Sequence, residues 1–357
     1  MMDEATQVQH LEELLRQYSP TLAERPAVET LAGQMQALGF SVRIDEAGSV
    51  RGSLGEGPRE IVLLGHIDTV PGQIPVRREG DLLYGRGAVD AKGPLACFTA
   101  AAALAGAQPG WRLTVIGAVG EEGDSRGAKL VRDTYTATRP PDYCVIGEPS
   151  SWDHVTLGYK GSAWMEYHLR RSLAHTAGQA ESACEGAVRF WNMVQAQKDA
   201  FNASRSRAFD QLTTSLRQMQ SNTDGFSETA SLGFNLRLPP ELRVEAVYQL
   251  LSATREDGEL ILLDGIECYR AEKNTALVRA FLASIRQAGG KPGFFVKTGT
   301  SDMNLVGPAW NCPILAYGPG DSAFDHTPDE HISVHEYLTA VQILRGVLNT
   351  LQSGPIS

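Results

Sequence analysis

Imidazole and carboxylate side chains recur in this sequence just after apolar runs or glycine-rich turns. They are His66 and Asp68 in GHIDTVPG, Asp90 in GRGAVDAKG, Glu121 and Glu122 in VGEEGD, Glu148 in GEP and His326 in FDHTPDEH. If the strands before them share one sheet, their ends converge and gather these groups into a single cleft. Carboxylates a few ångströms apart cannot all ionise unless protons or metal ions compensate them, and two divalent ions are the natural solution. Nitrogen and oxygen donors without a thiolate favour zinc, with cobalt or manganese as substitutes. The single spacer between His66 and Asp68 gives the aspartate a supporting task, since its carboxylate can accept the second ring N–H of His66 and fix the tautomer. Glu121 and Glu122 cannot both point the same way from an extended segment, but a turn lets one bind metal while the other holds a proton. That division suits hydrolysis, in which an unligated carboxylate takes a proton from an activated water and returns it to the leaving amine.

The elements that must position these groups are legible in the hydrophobic pattern. Segments 5–17 and 26–38 have helical periodicity, 61–67 and 112–119 read as buried strands, and 91–106 and 126–135 as helices between them. The alternation predicts an α/β core. From Gly158 the character changes: SAWMEYHLRRS alternates like a strand covered on one face, a helix follows at about 182–200, and TASLGFNLRLPP, RVEAVYQLLSATRE and ELILLDGIECY read as strand, helix and strand. This predicts a small α+β insert at 158–267 in a core domain formed by 1–157 and 268–357, ending in helix 335–351. The chain of 357 residues carries a formal net charge of −10, which opposes binding to nucleic acid or an anionic membrane. No apolar run reaches the length of a membrane span, and the acidic, amphipathic start MMDEATQVQHLEELLRQ lacks the pattern of a secretion signal, so a cytoplasmic location is expected. Five cysteines without a close pair argue against a disulfide framework or a cysteine-ligated zinc module.

Taken in order, GHIDTVPG, GRGAVDAKG, GEEGD, GEP and FDHTPDEH resemble the dinuclear-zinc M20 peptidase and deacylase family over nearly the whole chain. The resemblance implies a mixed-sheet α/β catalytic domain with an inserted ferredoxin-like lid and dimerisation domain. It implies that Asp90 bridges two ions, that His66 and Glu148 complete one site and Glu122 and His326 the other, and that Glu121 is the general base. His175, in RSLAHTAGQ, matches a lid histidine that reaches the active site of a partner subunit and stabilises the oxyanion, so a homodimer is expected. By the same analogy Arg237, Asn222 and the Thr300–Ser301 pair hold a substrate carboxylate, with Lys160 a further candidate. Each residue also has a plainer reading. Alone, His66 is a satisfied strand-end histidine, Asp90 caps the next helix, Arg237 forms a surface ion pair and Asp302 caps the segment after GTSDMN. The joint occurrence of the metal-centre motifs reverses that balance.

The metal-centre motifs do not choose among carboxypeptidases, dipeptidases and deacylases. VKTGTSDMNLVGPAW and AYGPGDSAFDHTPDEHI look most like the subgroup that releases lysine or ornithine from a small acidic amino-group carrier protein, in lysine and arginine biosynthesis. In that subgroup the amino acid hangs by its α-amino group from the γ-carboxyl of the carrier's C-terminal glutamate. Residues 158–217 hold eight Lys or Arg against five Asp or Glu, an excess that would steer an acidic protein toward this segment. The alternatives are acetylornithine deacetylase or succinyl-diaminopimelate desuccinylase and, in a different class, a metal-binding scaffold without turnover. Glu121 speaks against the scaffold, because a base that binds no metal has little structural use.

Overall fold

A computed structural model describes residues 2–354 except Thr176. It divides into two compact units, one made of Met1–Gly158, Ala271–Phe295 and Ser301–Ser357, the other of Tyr159–Arg270 and Val296–Thr300.

The first unit is built on a mixed sheet in which the strands Trp111–Ala118, Arg59–His66, Tyr143–Gly147 and Ile314–Ala316 lie side by side and parallel. Their apolar runs are buried on both faces, as expected of covered parallel strands. The hairpin Ser41–Ile44 and Val50–Leu54 extends the sheet antiparallel at one side, and His154–Tyr159 joins it antiparallel to Ile314–Ala316. The helix Lys92–Ala105 is apolar nearly all round, and every side chain from Lys92 to Ala102 is buried. It has the composition of a helix enclosed by the core rather than one at the surface. The helices Glu4–Arg16, Ala276–Gln287 and Val334–Ser353 present leucine, valine and phenylalanine to that core at helical spacing. Asp3 starts the first of them by accepting the amide of Thr6 at 2.8 Å.

One close approach sets where the strands end. Gly65 and Gly147 are register partners on adjacent parallel strands, immediately before His66 and Glu148. A Cβ on Gly147 would lie 3.0 Å from both the Gly65 Cα and the Phe98 ring, so only glycine lets the Lys92–Ala105 helix settle there.

The second unit runs strand Gly161–Ser172, helix Ala183–Asn202, strands Thr213–Thr223 and Ser227–Leu238, helix Val244–Thr254 and strand Glu259–Ile266. All pairings in its four-stranded sheet are antiparallel, and the order βαββαβ is that of a ferredoxin-like domain. Its core stacks Tyr167 on Phe190, with ring centroids 3.9 Å apart, and packs both helices on one face of the sheet. Ser182 and Glu185 form a reciprocal capping box at the start of the longer helix. The strand Thr213–Thr223 lies at the sheet edge and is largely exposed. Its sequence, TTSLRQMQSNT, lacks the apolar alternation of a half-buried strand, which is why the hydrophobic pattern passes over it.

The cationic excess of residues 158–217 is neutralised in three dimensions. Arg170 pairs with Asp224 at 2.9 Å, Arg171 with Glu181 and Asp257, Arg189 with Glu181 and Glu256, and Arg205 with Glu241. Several of those acids lie beyond residue 217, so the sequence window cut the arginines off from their partners. The expected basic face is corrected accordingly. Among the described residues, the exposed Arg207 and Arg217 stand outside these pairs.

The glycine pair gives an asymmetric expectation. Gly147→Val should destabilise the fold by about 1–3 kcal/mol, the usual cost of overpacking. Gly65→Ala, whose Cβ meets nothing closer than 3.5 Å, should fall well short of that. Urea unfolding of the two variants checks it, and equal losses would contradict the close approach.

Candidate metal centre

The four parallel strands end on the same side of the sheet, and the chemistry follows directly from their last residues. His66 closes its own strand, Glu148 follows Gly147, and Glu121 and Glu122 follow Ala118 across the turn at Gly120, which has φ +80°. Asp90 stands two residues before the buried helix, and the Asp90–Ala91 peptide is cis.

These side chains converge in two triads that share one member. His66, Asp90 and Glu148 bring ligand atoms within 4.8 Å of one another, and so do Asp90, Glu122 and His326. Asp90 turns one oxygen to each: Oδ1 is 3.1 Å from His66 Nε2, and Oδ2 is 3.0 Å from His326 Nε2. His66 Nε2 is 4.0 Å from Glu148 Oε1, and His326 Nε2 is 2.8 Å from Glu122 Oε1. Bonds of about 2.0 Å at tetrahedral angles separate neighbouring donor atoms by roughly 3.3 Å. The spacings fit two ions joined by one carboxylate, and the nitrogen and oxygen donors suit zinc and its neighbours.

The tautomer of His66 follows from its other contact. Nδ1 lies 3.0 Å from the backbone carbonyl of Asp68 and 3.6 Å from its carboxylate. A carbonyl only accepts, so Nδ1 carries a proton, and Nε2, the ring nitrogen facing Asp90 and Glu148, is the one that would hold an ion. The carbonyl therefore takes the bond that the HID spacing suggested for the carboxylate. The Asp68 carboxylate is occupied elsewhere. It accepts the amides of Glu121 at 3.0 Å and Glu122 at 3.1 Å and the Thr21 hydroxyl at 2.8 Å. Asp68 thus clamps the turn on which the two glutamates diverge.

Glu121 belongs to neither triad. Burial raises its pKa well above the ordinary value, and the charges of Glu148, Asp302 and Glu122 add to the rise against the opposing pull of His66. Asp90 behaves oppositely: burial would raise its pKa, but the imidazoles of His326 and His66 outweigh burial and hold it below the usual carboxylate range. Hydrogen bonds to Asp90 and Glu122 lift His326 to about 10.

Sequence reasoning passed over Asp302. It is buried, one of its oxygens has no hydrogen-bond partner among the described residues, and burial pushes its pKa up to about 7. It does not cap the helix Met303–Trp310. The Ser301 hydroxyl accepts the Met303 amide at 3.2 Å, and Asn304 accepts the Ser301 amide at 3.0 Å. Ser301 is therefore committed to its own turn. In sequence Asp302 reads as an ordinary helix-capping aspartate, and only its burial marks it out.

The remaining candidates lie in the second unit. Arg237 reaches the Thr300 hydroxyl at 3.2 Å. Lys160 is buried, with its ammonium on the Gln211 carbonyl at 2.5 Å and the Thr213 hydroxyl at 3.2 Å, and burial lowers its pKa to about 8. Asn222 pairs with Thr229, whereas Arg237 pairs with Thr213. The two therefore lie at opposite ends of one strand pair, roughly 25–30 Å apart at about 3.3 Å per residue. The chain does not bring them together. His175 is exposed in a loop at the Asn222 end, where the Leu173 amide meets the Phe226 carbonyl at 2.9 Å, and its Nδ1 accepts the Ala177 amide.

The Asp68 clamp has a measurable consequence. Asp68→Asn leaves one backbone amide of the Glu121–Glu122 turn without its acceptor, a loss of about 1–3 kcal/mol. Hydrogen exchange at those two amides should accelerate while the core amides stay protected, and unchanged protection there would contradict the clamp.

A Deinococcus radiodurans protein named "[LysW]-lysine hydrolase" is 40% identical over 355 residues, covering 92% of this chain and 95% of the relative. A Sulfurisphaera tokodaii protein named "[LysW]-lysine/[LysW]-ornithine hydrolase" is 28% identical, covering 92% and 91%. The crystal structure of an M20 family metallo-carboxypeptidase from Sulfolobus solfataricus superposes with a TM-score of 0.80 at 17% identity, covering 98% of this chain and 100% of that one, and so shares the fold. The pattern of peptidase family M20/M25/M40 matches residues 62–350, a span that takes in both triads, and the chain belongs to that family.

Proposed function

We propose that this chain is a two-metal hydrolase that releases lysine or ornithine from an acidic carrier protein, cleaving the amide between the carrier's C-terminal glutamate γ-carboxyl and the amino acid's α-amino group. The observation that carries the reading is Asp90, which turns one oxygen to each triad, with Glu121 outside both triads on the turn that bears Glu122. The substrate follows from the names of the relatives along nearly the whole chain. In this reading His66, Asp90 and Glu148 hold one zinc ion and Asp90, Glu122 and His326 the other, with cobalt or manganese as substitutes.

Two such ions, when bound, supply the charge that makes water acidic near neutral pH and polarise the scissile carbonyl. The work of the chain is proton handling and orientation. Glu121 takes the proton of the attacking water as the C–O bond forms and delivers it to the nitrogen as the C–N bond breaks, and with the second water proton also passing to the nitrogen the products are the glutamate γ-carboxylate and the α-ammonium of the free amino acid. Asp68 keeps Glu121 and Glu122 apart through their amides. Arg237, with Thr300, suits the carboxylate of the departing amino acid, since a guanidinium presents a fork to two oxygens. His175 and Asn222 lie together at the end of the strand pair opposite Arg237, an arrangement that suits action on a partner subunit. The exposed edge strand Thr213–Thr223 offers unpaired backbone for joining two copies as a homodimer. The free cysteines suit a reducing compartment, which we take to be the cytoplasm.

Glu121→Gln should retain two equivalents of metal while its rate falls by roughly two to four powers of ten. Mixed with His175→Ala subunits, it should recover activity in the hybrid dimer. Steady-state kinetics with metal analysis decides, and near-normal turnover by Glu121→Gln would remove it from the mechanism.

A carrier-linked substrate should be distinguished from small ones. The purified protein should turn over carrier-linked lysine or ornithine with a kcat/KM at least about tenfold above that for N-acetylornithine or succinyl-diaminopimelate, a difference of about 1.4 kcal/mol in transition-state binding. The opposite order would favour a small-molecule deacylase.

A further inference from the structure

Glu330 stands four residues after His326 and is fully buried, yet it belongs to neither triad. Its Oε1 accepts three backbone amides of a single loop: Gly87 at 3.1 Å, Val89 at 2.9 Å and Asp90 at 3.1 Å. Its Oε2 accepts Arg86 Nη1 at 2.8 Å, and Arg86 is itself buried. The same guanidinium donates through Nε to the Gly72 carbonyl at 2.9 Å, in the loop that follows His66 and Asp68. The Glu330 carbonyl accepts the Gly85 amide at 3.3 Å, and the next strand, His331–Ser333, pairs antiparallel with Leu82–Tyr84.

One ion pair therefore touches three segments that carry triad residues: the loop after His66, the loop that ends in Asp90 and the segment that follows His326. A buried ion pair is by itself weak support for stability, because desolvation offsets its attraction. Three amides converging on one oxygen do something more specific, since they fix the path of the backbone that delivers Asp90. We propose that the Arg86–Glu330 pair is a positioning device for the metal centre. It presets the bridging Asp90 between His66 and His326, so that both halves of the centre depend on it although it contacts no ligand side chain. The pair acts before any ion arrives, because every bond in it is made by the protein alone. The inference rests on the two-metal reading above.

The test compares metal binding with stability in the full-length protein. Glu330→Gln keeps the volume and a carbonyl oxygen for the amides but sets an N–H₂ group against Arg86. Arg86→Lys keeps the charge but lacks the fork that spans Gly72 and Glu330. Glu60→Gln serves as the control, because Glu60 is a part-buried carboxylate that accepts Thr114 and Tyr135 near the start of the His66 strand. Competition with a chelator should show the two positioning variants binding zinc about 10–100-fold more weakly, the usual effect of losing a group that orients ligands. The visible spectrum of the cobalt(II) form should change with them. Glu60→Gln should lower the melting temperature of the metal-free protein while leaving both metal readouts at wild-type values. The proposal is overturned if Glu330→Gln and Arg86→Lys melt earlier but keep wild-type affinity, two-ion stoichiometry and cobalt spectrum. If Glu330→Gln does not fold, Arg86→Lys decides, and failure of both to fold would make the role structural and overturn the proposal. A wild-type protein that takes up fewer than two ions would instead sink the two-metal reading itself.

Discussion

Everything at this centre depends on holding carboxylates together in a place with little water. Asp68, Asp90, Glu121, Glu122, Glu148 and Asp302 crowd the ends of four parallel strands, and a low-dielectric site magnifies their repulsion. The protein answers with specific contacts rather than with a general excess of positive charge. Two imidazoles flank Asp90, backbone amides face Asp68, and burial raises the pKa of Glu121 and, to about 7, that of Asp302. Each device answers one carboxylate of the cluster. The pull of the imidazoles on Asp90 and the push of burial on Glu121 move the pKa values of two carboxyl groups of one cluster in opposite directions.

The sheet supplies the geometry that this balance needs. Parallel strands deliver their C-terminal residues to one edge, so His66, the Glu121–Glu122 turn and Glu148 arrive from three neighbouring strands without any long excursion. The glycine register pair just behind them lets a largely apolar helix lie against the strands, and that helix starts at the loop bearing Asp90. Packing and chemistry are therefore coupled at Gly147. The residue that admits the helix is the neighbour of a triad carboxylate.

Much of this was legible in the sequence, and the physical reasons are particular. The core strands were readable because covered parallel strands are uninterrupted apolar runs, as in IVLLG and LTVIGA. The strand Thr213–Thr223 was not, because an exposed edge imposes no alternation. The residues of the two triads announced themselves by standing after such runs, each beside glycine or a turn. Glu330 and Arg86 carried no comparable mark: in PDEH and YGRG they look like solvated charges, and only their burial against each other separates them from surface residues. The excess of arginine at 158–217 misled for a related reason, since its neutralising acids are distant in sequence and adjacent in space.

The amides of Asp90 and its neighbours wait for a side chain 240 positions further along the chain. A ribosome emitting this protein from its N-terminus has released His66, Asp90, Glu122 and Glu148 long before Glu330 emerges, and the entire second unit must leave the exit tunnel in between. Until then the loop from Gly87 to Asp90 lacks the oxygen on which its amides converge. Closing so large a loop costs entropy that grows only slowly with length, so the delay is one of order rather than of difficulty. The centre is therefore among the last parts of the molecule to acquire its final form, and an unfinished chain offers passing cations no completed pair of triads.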